Sequence, residues 1–247
     1  MDIKILYFSG TGNSLAAARQ INKAFINSEI VPITYALTEI EADKLIIVVP
    51  TYAYGSPAVV LHFMQTASIK TNHISFLATC GSQAGSIFLQ AKRVLKKRGL
   101  LLNYFNSIKT VENFFPLFKR GTVEAEKKRI KMQKEKTDII IKDLKGTPKR
   151  KRIFPNYFGL LIDLMFRKFR VKLNKKIRIT DDCIGCMVCV AECQVKAITV
   201  EKGHAKINPE ICQNCQGCIN KCPLKAIEYG KVNKMMRRYV HPDGKKI

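Results

Sequence analysis

The chain has 247 residues, with 43 Lys and Arg against 19 Asp and Glu and 47% hydrophobic residues. That is enough for two domains, each with an ordinary core. No apolar run is long enough to span a bilayer, and the start, Met1-Asp2-Ile3-Lys4-Ile5-Leu6-Tyr7-Phe8, is too short and too acidic at position 2 for a signal peptide, so a cytoplasmic protein with reduced thiols is expected. A formal net charge of +24 favours acidic partners, an anionic membrane surface or nucleic acid, and bears on association more than on fold.

Residues 2–8 read as a buried first strand. Ser9-Gly10-Thr11-Gly12-Asn13-Ser14 follows, and then a helix-forming run beginning at Leu15. A strand, a short glycine and hydroxyl loop and a helix form a phosphate cradle, because the backbone N–H groups at the helix start point at the anion. A Walker A loop would need a lysine, which is not there, and a dinucleotide fingerprint would need a third glycine where Leu15 stands. The plain alternative is a strand–helix turn with Asn13 or Ser14 as N-cap. The loop resembles the phosphate loop of flavodoxins. That resemblance implies FMN, with Ser9, Thr11, Asn13 and Ser14 as side-chain ligands and Gly10 and Gly12 supplying backbone.

Two more apolar runs suit strands buried on both faces. Lys44–Val49 ends in Pro50-Thr51-Tyr52-Ala53-Tyr54-Gly55, and Ile74–Ala78 ends in Thr79-Cys80-Gly81-Ser82. In open α/β sheets ligands sit beyond the carboxyl ends of the strands, so the three loops should share one crevice. The flavodoxin likeness makes Tyr52 and Tyr54 candidates to stack on the flavin ring, with Ala53 and Gly55 in the same loop. It makes Thr79, Cys80, Gly81 and Ser82 candidates for the ring edge. Packing at the surface is the alternative for each tyrosine. Cys80 reads as a small loop residue and not a nucleophile, because no histidine is placed to activate it. Helices over 13–25, 57–68 and 85–98, a second strand at Ile30–Ile33 and a fifth near 100–105 complete a doubly wound α/β sheet of order 2-1-3-4-5. The link from the second strand to the third is too short for a full crossover helix, which should leave the sheet thinly covered there.

Residues 119–152 hold 14 Lys and Arg against five Asp and Glu. Within them Glu124–Lys145 reads as the last helix of the sheet domain, packing through Ile130, Ile139, Ile140, Ile141 and Leu144. Gly146–Arg152 reads as a linker, and Tyr157–Lys172 as a basic amphipathic helix. An apolar stripe of this kind usually packs between domains, which is the expectation here, while lying on an anionic membrane is the alternative.

The cysteines come next. Cys183, Cys186, Cys189 and Cys193, then Cys212, Cys215, Cys218 and Cys222, twice give C-x2-C-x2-C-x3-C. This spacing holds cubane iron–sulfur clusters, with the fourth cysteine of each run serving the other cluster. Cys183, Cys186, Cys189 and Cys222 are thus expected on one [4Fe–4S] cluster, and Cys212, Cys215, Cys218 and Cys193 on the second. Zinc ribbons lack the third closely spaced cysteine, and eight crowded cysteines with no secretory signal do not suit disulfides. The segment also repeats itself: Lys196-Ala197-Ile198 and Lys225-Ala226-Ile227 stand at the same offset as the cysteines. Each half should run strand, cluster loop, helix, strand. One departure is Gln194 after Cys193, where Pro223 follows Cys222, and it is expected to loosen that turn.

Residues 177–230 resemble the two-cluster bacterial ferredoxins, and nearly the whole chain resembles fused flavodoxin–ferredoxin proteins of anaerobes, the EFR type. The resemblance implies two [4Fe–4S] clusters, FMN and electron transfer. The expected plan is a flavodoxin-like domain at 1–145, a basic linker and amphipathic helix at 146–176, a ferredoxin-like α+β domain at 177–230 and a solvated basic tail at 231–247. An acidic redox protein is the expected partner; peripheral membrane association and oligomer formation stay open. An oxidoreductase acting on a small substrate and a basic nucleic-acid-binding protein are the rival readings. The first has no acid–base pair to support it, and the second no recognition motif, so nucleic acid is not favoured.

Overall fold

The computed structural model describes residues 1–114, 121–146, 152–230 and 235–245. Residues 119–120 of the basic stretch, 147–151 of the expected linker, and 231–234 and 246–247 of the expected tail lie outside the described residues. Five parallel strands, β1 (Ile3–Tyr7), β2 (Ser28–Pro32), β3 (Glu39–Pro50), β4 (Ser68–Cys80) and β5 (Leu102–Lys109), stand in the order β2-β1-β3-β4-β5. This is the flavodoxin-like order expected. In register, Leu6 lies between Val31 and Ile47. Leu45 to Val49 are all fully buried, so β3 needs cover on both faces. On one face α1 (Asn13–Ala24) and α4 (Val123–Lys145) pack Leu15, Ile21, Ile140 and Leu144 onto Ile5, Ile46 and Leu77. On the other, α2 (Ala58–Thr66) and α3 (Ile87–Lys97) bring Val60, Phe63, Ala91 and Leu95 against Leu6, Ile47 and Phe76.

The carboxyl-terminal module contains β6 (Ile177–Ile179), α6 (Val188–Glu192), β7 (Ile198–Glu201), β8 (His204–Ile207), α7 (Gly217–Lys221) and β9 (Ile227–Tyr229). β6 pairs with β9 and β7 with β8, both antiparallel. The repeat extends to backbone conformation: φ is 65° at Met187 and 61° at its counterpart Gln216, and 52° at Lys196 and 53° at Lys225.

Four expectations are corrected. No helix links β2 to β3, as read, but the sheet is not bare there: Val195, Ala197 and Ile211 of the cysteine module join the same core as Val31, Ile33 and Leu37. α4 turns Ile139 out to solvent and Gln133 and Thr137 inward, because Gln133 donates to the Asn13 carbonyl at 3.0 Å. The tail is not a solvated end: Tyr239 and His241 are buried, and His241 N–H donates to the Thr11 carbonyl at 2.9 Å. The amphipathic helix, α5 (Tyr157–Asn174), does join the two modules, but through its polar side. Asp163, 2% exposed, pairs with Arg167 at 2.7 Å and accepts from Gln90 at 2.6 Å, while Asn174 donates to the carbonyls of Pro209 and Cys212. A buried carboxylate is tolerated only when it is paired and hydrogen-bonded in this way.

Candidate functional site

The cysteines gather in two groups of four, each drawing on both runs. Cys183, Cys186, Cys189 and Cys222 line one cavity with about 380 Å³ of open space, together with Gly185, Ala205 and Ala226. Burial raises the Cys189 thiol, and the nearby Cys183, Cys186 and Cys222 raise it further. Burial pushes Cys215 up to about 12, reinforced by Cys212 and Cys193, and holds Cys218 well above the thiol range, reinforced chiefly by Cys215, Cys212 and Cys193. Thiolates in either group would be poorly solvated and mutually repelling, so the set ionises only around a compact cationic centre. Among the described residues no three Cys, His, Asp or Glu side chains converge as the ligands of a single metal ion must. A cubane has no such requirement, because each thiolate binds its own iron. Backbone N–H groups also face sulfur: at equivalent places of the repeat Ala197 donates to Cys193 and Ala226 to Cys222, both at 3.3 Å, and elsewhere Ala205 donates to Cys183 and Asn214 to Cys212, both at 3.4 Å. The residues fit a pair of cubane clusters.

A second cavity, with about 360 Å³ of space, opens beyond the carboxyl ends of β1, β3, β4 and β5. Ser9, Gly10, Thr11, Asn13, Ser14, Tyr52, Thr79, Cys80 and Gly81 line it, as do Pro50, Thr51 and the stretch Thr110–Asn113. Gly12, Ala53, Tyr54, Gly55 and Ser82 are outside this lining. Ala53 and Tyr54 instead form a left-handed turn, φ 45° and 68°, closed by reciprocal 2.9 Å bonds between Tyr52 and Gly55. The turn sends Tyr52 to the cavity and Tyr54 to Phe158 on α5. The 110–113 stretch is absent from the sequence expectation; it follows β5, and the rule that ligands lie beyond strand ends applies to it equally.

Hydrogen bonds from other elements brace the Ser9–Ser14 loop. The Asn13 side chain donates to the Val111 carbonyl and accepts from the Tyr239 hydroxyl at 2.7 Å; Asn113 donates to Thr11 Oγ1; Ser14 and Thr79 share a hydrogen bond of 2.8 Å. The backbone N–H groups of Gly10, Thr11, Gly12, Asn13 and Ser14 have no acceptor among the described residues, although all five residues are buried. Thr51 Oγ1 is buried and likewise has no partner. Of these, Gly10, Thr11, Asn13, Ser14 and Thr51 line one cavity, and orphaned donors gathered there at the start of a helix fit a phosphate group. Burial raises the Cys80 thiol to about 11, so it stays protonated at neutral pH and is a poor nucleophile.

The second cysteine group abuts this cavity. A Cβ on Gly10 would overlap the carbonyl of Cys215, and one on Gly217 would come within 2.9 Å of the Gly10 carbonyl, so glycine is needed on both sides of the seam. Gln194 is 9% exposed; its Oε1 accepts from Ser9 N–H at 2.7 Å and its Nε2 reaches the Tyr7 carbonyl at 3.4 Å. The turn after Cys193 is therefore not loosened. Its Lys196–Cys193 backbone bond of 3.0 Å matches the 3.1 Å Lys225–Cys222 bond in the half that has the proline. Gln213 accepts from Val59 N–H and donates to the Tyr35 hydroxyl, both at 3.0 Å. Burial holds the phenol of Tyr52 well above its usual range, and the neighbouring Cys215 and Cys212 push the same way.

Residues 182–226 match the family model of the 4Fe-4S dicluster domain. No curated protein matches the chain. Among solved structures, a Bacteroides eggerthii protein described as a flavoprotein is 20% identical with a TM-score of 0.36, covering 43% of this chain and 87% of that one. A two-electron-reduced flavodoxin from Megasphaera elsdenii is 18% identical with a TM-score of 0.33, covering 42% and 84%. An azoreductase from Bacillus anthracis is 13% identical with a TM-score of 0.40, covering 57% and 99%. At these scores such likenesses carry no argument about chemistry, and the flavodoxin-like fold rests on the strand order itself.

Proposed function

We propose that the chain carries electrons between two [4Fe–4S] clusters and FMN, linking a one-electron donor to a redox partner. The observation that carries the reading is the seam at which the Cys212–Cys215 loop lies against Gly10 and Tyr52 of the second cavity. When bound, the clusters exchange single electrons and the flavin one or two, which lets a fused chain couple donors and acceptors of different electron number.

In this reading Cys183, Cys186, Cys189 and Cys222 hold the outer cluster, and Cys212, Cys215, Cys218 and Cys193 the inner one. The N–H groups of Ala197, Ala205, Asn214 and Ala226 stabilise negative charge on sulfur. The amides of Gly10 to Ser14 hold the flavin phosphate. Tyr52 stands between the inner thiols and the ring site, where it excludes water. Thr79, Cys80 and Gly81 face the ring edge. Gln194 and Gln213 fix the module against the sheet, keeping one carrier permanently beside the other. Ile184, Met187 and Val188, at 69%, 51% and 37% exposure, surround the exposed Cys186 and offer a partner an apolar patch. The formal charge of +24 favours an acidic redox protein there.

Reduction of the flavin by a reduced one-electron protein donor, followed anaerobically by absorbance, tests the reading. Cys186→Ala and Cys215→Ala should each slow it by about a hundredfold or more while the bound flavin is retained; Cys186 lines the other cavity and has no place in the lining of this one, which separates loss of the cluster from distortion of the flavin site. Unchanged flavin reduction in both variants would overturn the proposal.

A further inference from the structure

α5 has its chemistry reversed. The side facing the protein carries Asp163, Arg167, Arg170 and Asn174. The side facing solvent carries Tyr157, Phe158, Leu161, Leu164, Met165 and Phe169, at 72%, 69%, 57%, 56%, 53% and 44% exposure. At 100° per residue these six fall within an arc of roughly 140°, and Lys168 and Lys172 share that arc near its carboxyl-terminal end. No carboxylate falls within it. Phe154, 75% exposed, extends the patch beyond the first turn, and Lys175 and Lys176 lie exposed at the other end.

We infer that this face of α5 docks the protein on an anionic lipid surface. Six large apolar side chains in one arc, with lysines whose aliphatic stems can lie along the interface while their ammonium groups reach the phosphates, suit the boundary between headgroups and acyl chains. The helix lies on the surface and does not cross it, since no described helix is long and apolar enough to span a bilayer. A second copy of the chain is a poor occupant. It would bring a second formal charge of +24 and two more lysines onto a face that has no carboxylate to pair them. Anionic lipid satisfies both halves of the patch: acyl chains take up the apolar side chains, and headgroups pair with the lysines. The polar bonds on the inner side hold the helix to the protein, so docking needs no rearrangement. The carriers would then be held at a membrane, where a lipid-soluble or membrane-bound donor or acceptor is at hand.

The test uses the full holoprotein and flotation with two vesicle preparations, pure phosphatidylcholine and an equimolar mixture with phosphatidylglycerol. The protein should float with the anionic vesicles at low salt and stay behind with the neutral ones. Leu161→Glu with Leu164→Glu, both on the exposed face, should weaken partition by about a hundredfold while iron and sulfide content stay unchanged. Lys168→Glu with Lys172→Glu should weaken it by about tenfold or more and lower its salt dependence. Failure to float with anionic vesicles overturns the inference. So does flotation that survives the leucine substitutions, which would mean adsorption by charge alone. A dimer in sedimentation equilibrium that those substitutions dissociate would give the face to self-association and overturn it as well.

Discussion

The two cysteine loops are copies of one pattern placed in opposite surroundings. Where the first loop has Ile184, Met187 and Val188, all exposed, the second has Gln213, Gln216 and Gly217, all buried. Apolar residues face water and amides face the interior, the reverse of the usual arrangement. The inversion has a physical cause at each place. The second loop lies against the first turn of α2, where the Val59 N–H has no partner within the helix, and the Gln213 amide supplies one. Among the described residues the first loop has no such neighbour, and its apolar collar is exposed. Duplication thus supplies two equivalent scaffolds, and position makes one of them face outward and the other inward.

That contrast can be broken most forcefully in the module's own core. Ile219 is fully buried, whereas its counterpart Val190 is only partly buried. Ile219→Ala should destabilise the holoprotein by about 3 kcal/mol and Val190→Ala by about 1 kcal/mol, read from denaturant midpoints at constant slope. Equal losses would mean that the two halves are equally packed and that the asymmetry is confined to their loops.

A finer test restores the symmetry of the sequence. Gln194→Pro gives the first run the residue that follows Cys222 in the second. The change removes the acceptor of the Ser9 N–H and leaves that donor buried without a partner, a loss of about 1–3 kcal/mol. Amide exchange at Ser9 should accelerate and flavin affinity should fall by about tenfold or more, with cluster content unchanged. If both stay as in the parent, Gln194 is not what holds the seam.

Gln194 also marks the limit of what the sequence discloses. The spacing of the eight cysteines, the repeat and the strand-loop-helix start of the chain were legible because each is a local pattern with one physical solution. Gln194 read as a loosened turn because it was compared only with its own repeat, whereas its bonds run to Ser9 and Tyr7. The short β2–β3 link was legible, but its consequence was not: the absent helix is what lets Val195, Ala197 and Ile211 reach the sheet. The tail misled for a related reason. Its lysines and arginines suggest solvent, while Tyr239 and His241, which dock it, stand alone between them with no periodicity to reveal a buried face.

The smallest predicted effect concerns that tail and again only the inner loop. Tyr239 joins the two sites, its N–H donating to Asn220 on α7 at 2.8 Å and its hydroxyl to Asn13 at 2.7 Å; the position matching Asn220 in α6 is Ala191, which has no side-chain amide. His241 anchors the next turn, and burial lowers it to about 4, the nearby Lys134 acting in the same direction and Asp243 against it. Its folded pKa is below its unfolded value, so the unfolded chain binds the extra proton and stability is lost as pH falls from about 6.5 towards 4. Between pH 7 and pH 5.5 the tail should lose about 1 kcal/mol, seen as faster amide exchange at His241 and at its neighbours across the phosphate loop. His241→Phe should remove this pH dependence while leaving exchange within β7 and β8 unchanged. A tail that loosens equally with phenylalanine in place would mean that His241 is not the acid sensor; Asp243 cannot take its place in this window, because pairing with Lys134 at 2.9 Å holds its carboxyl below the usual range and keeps it ionised.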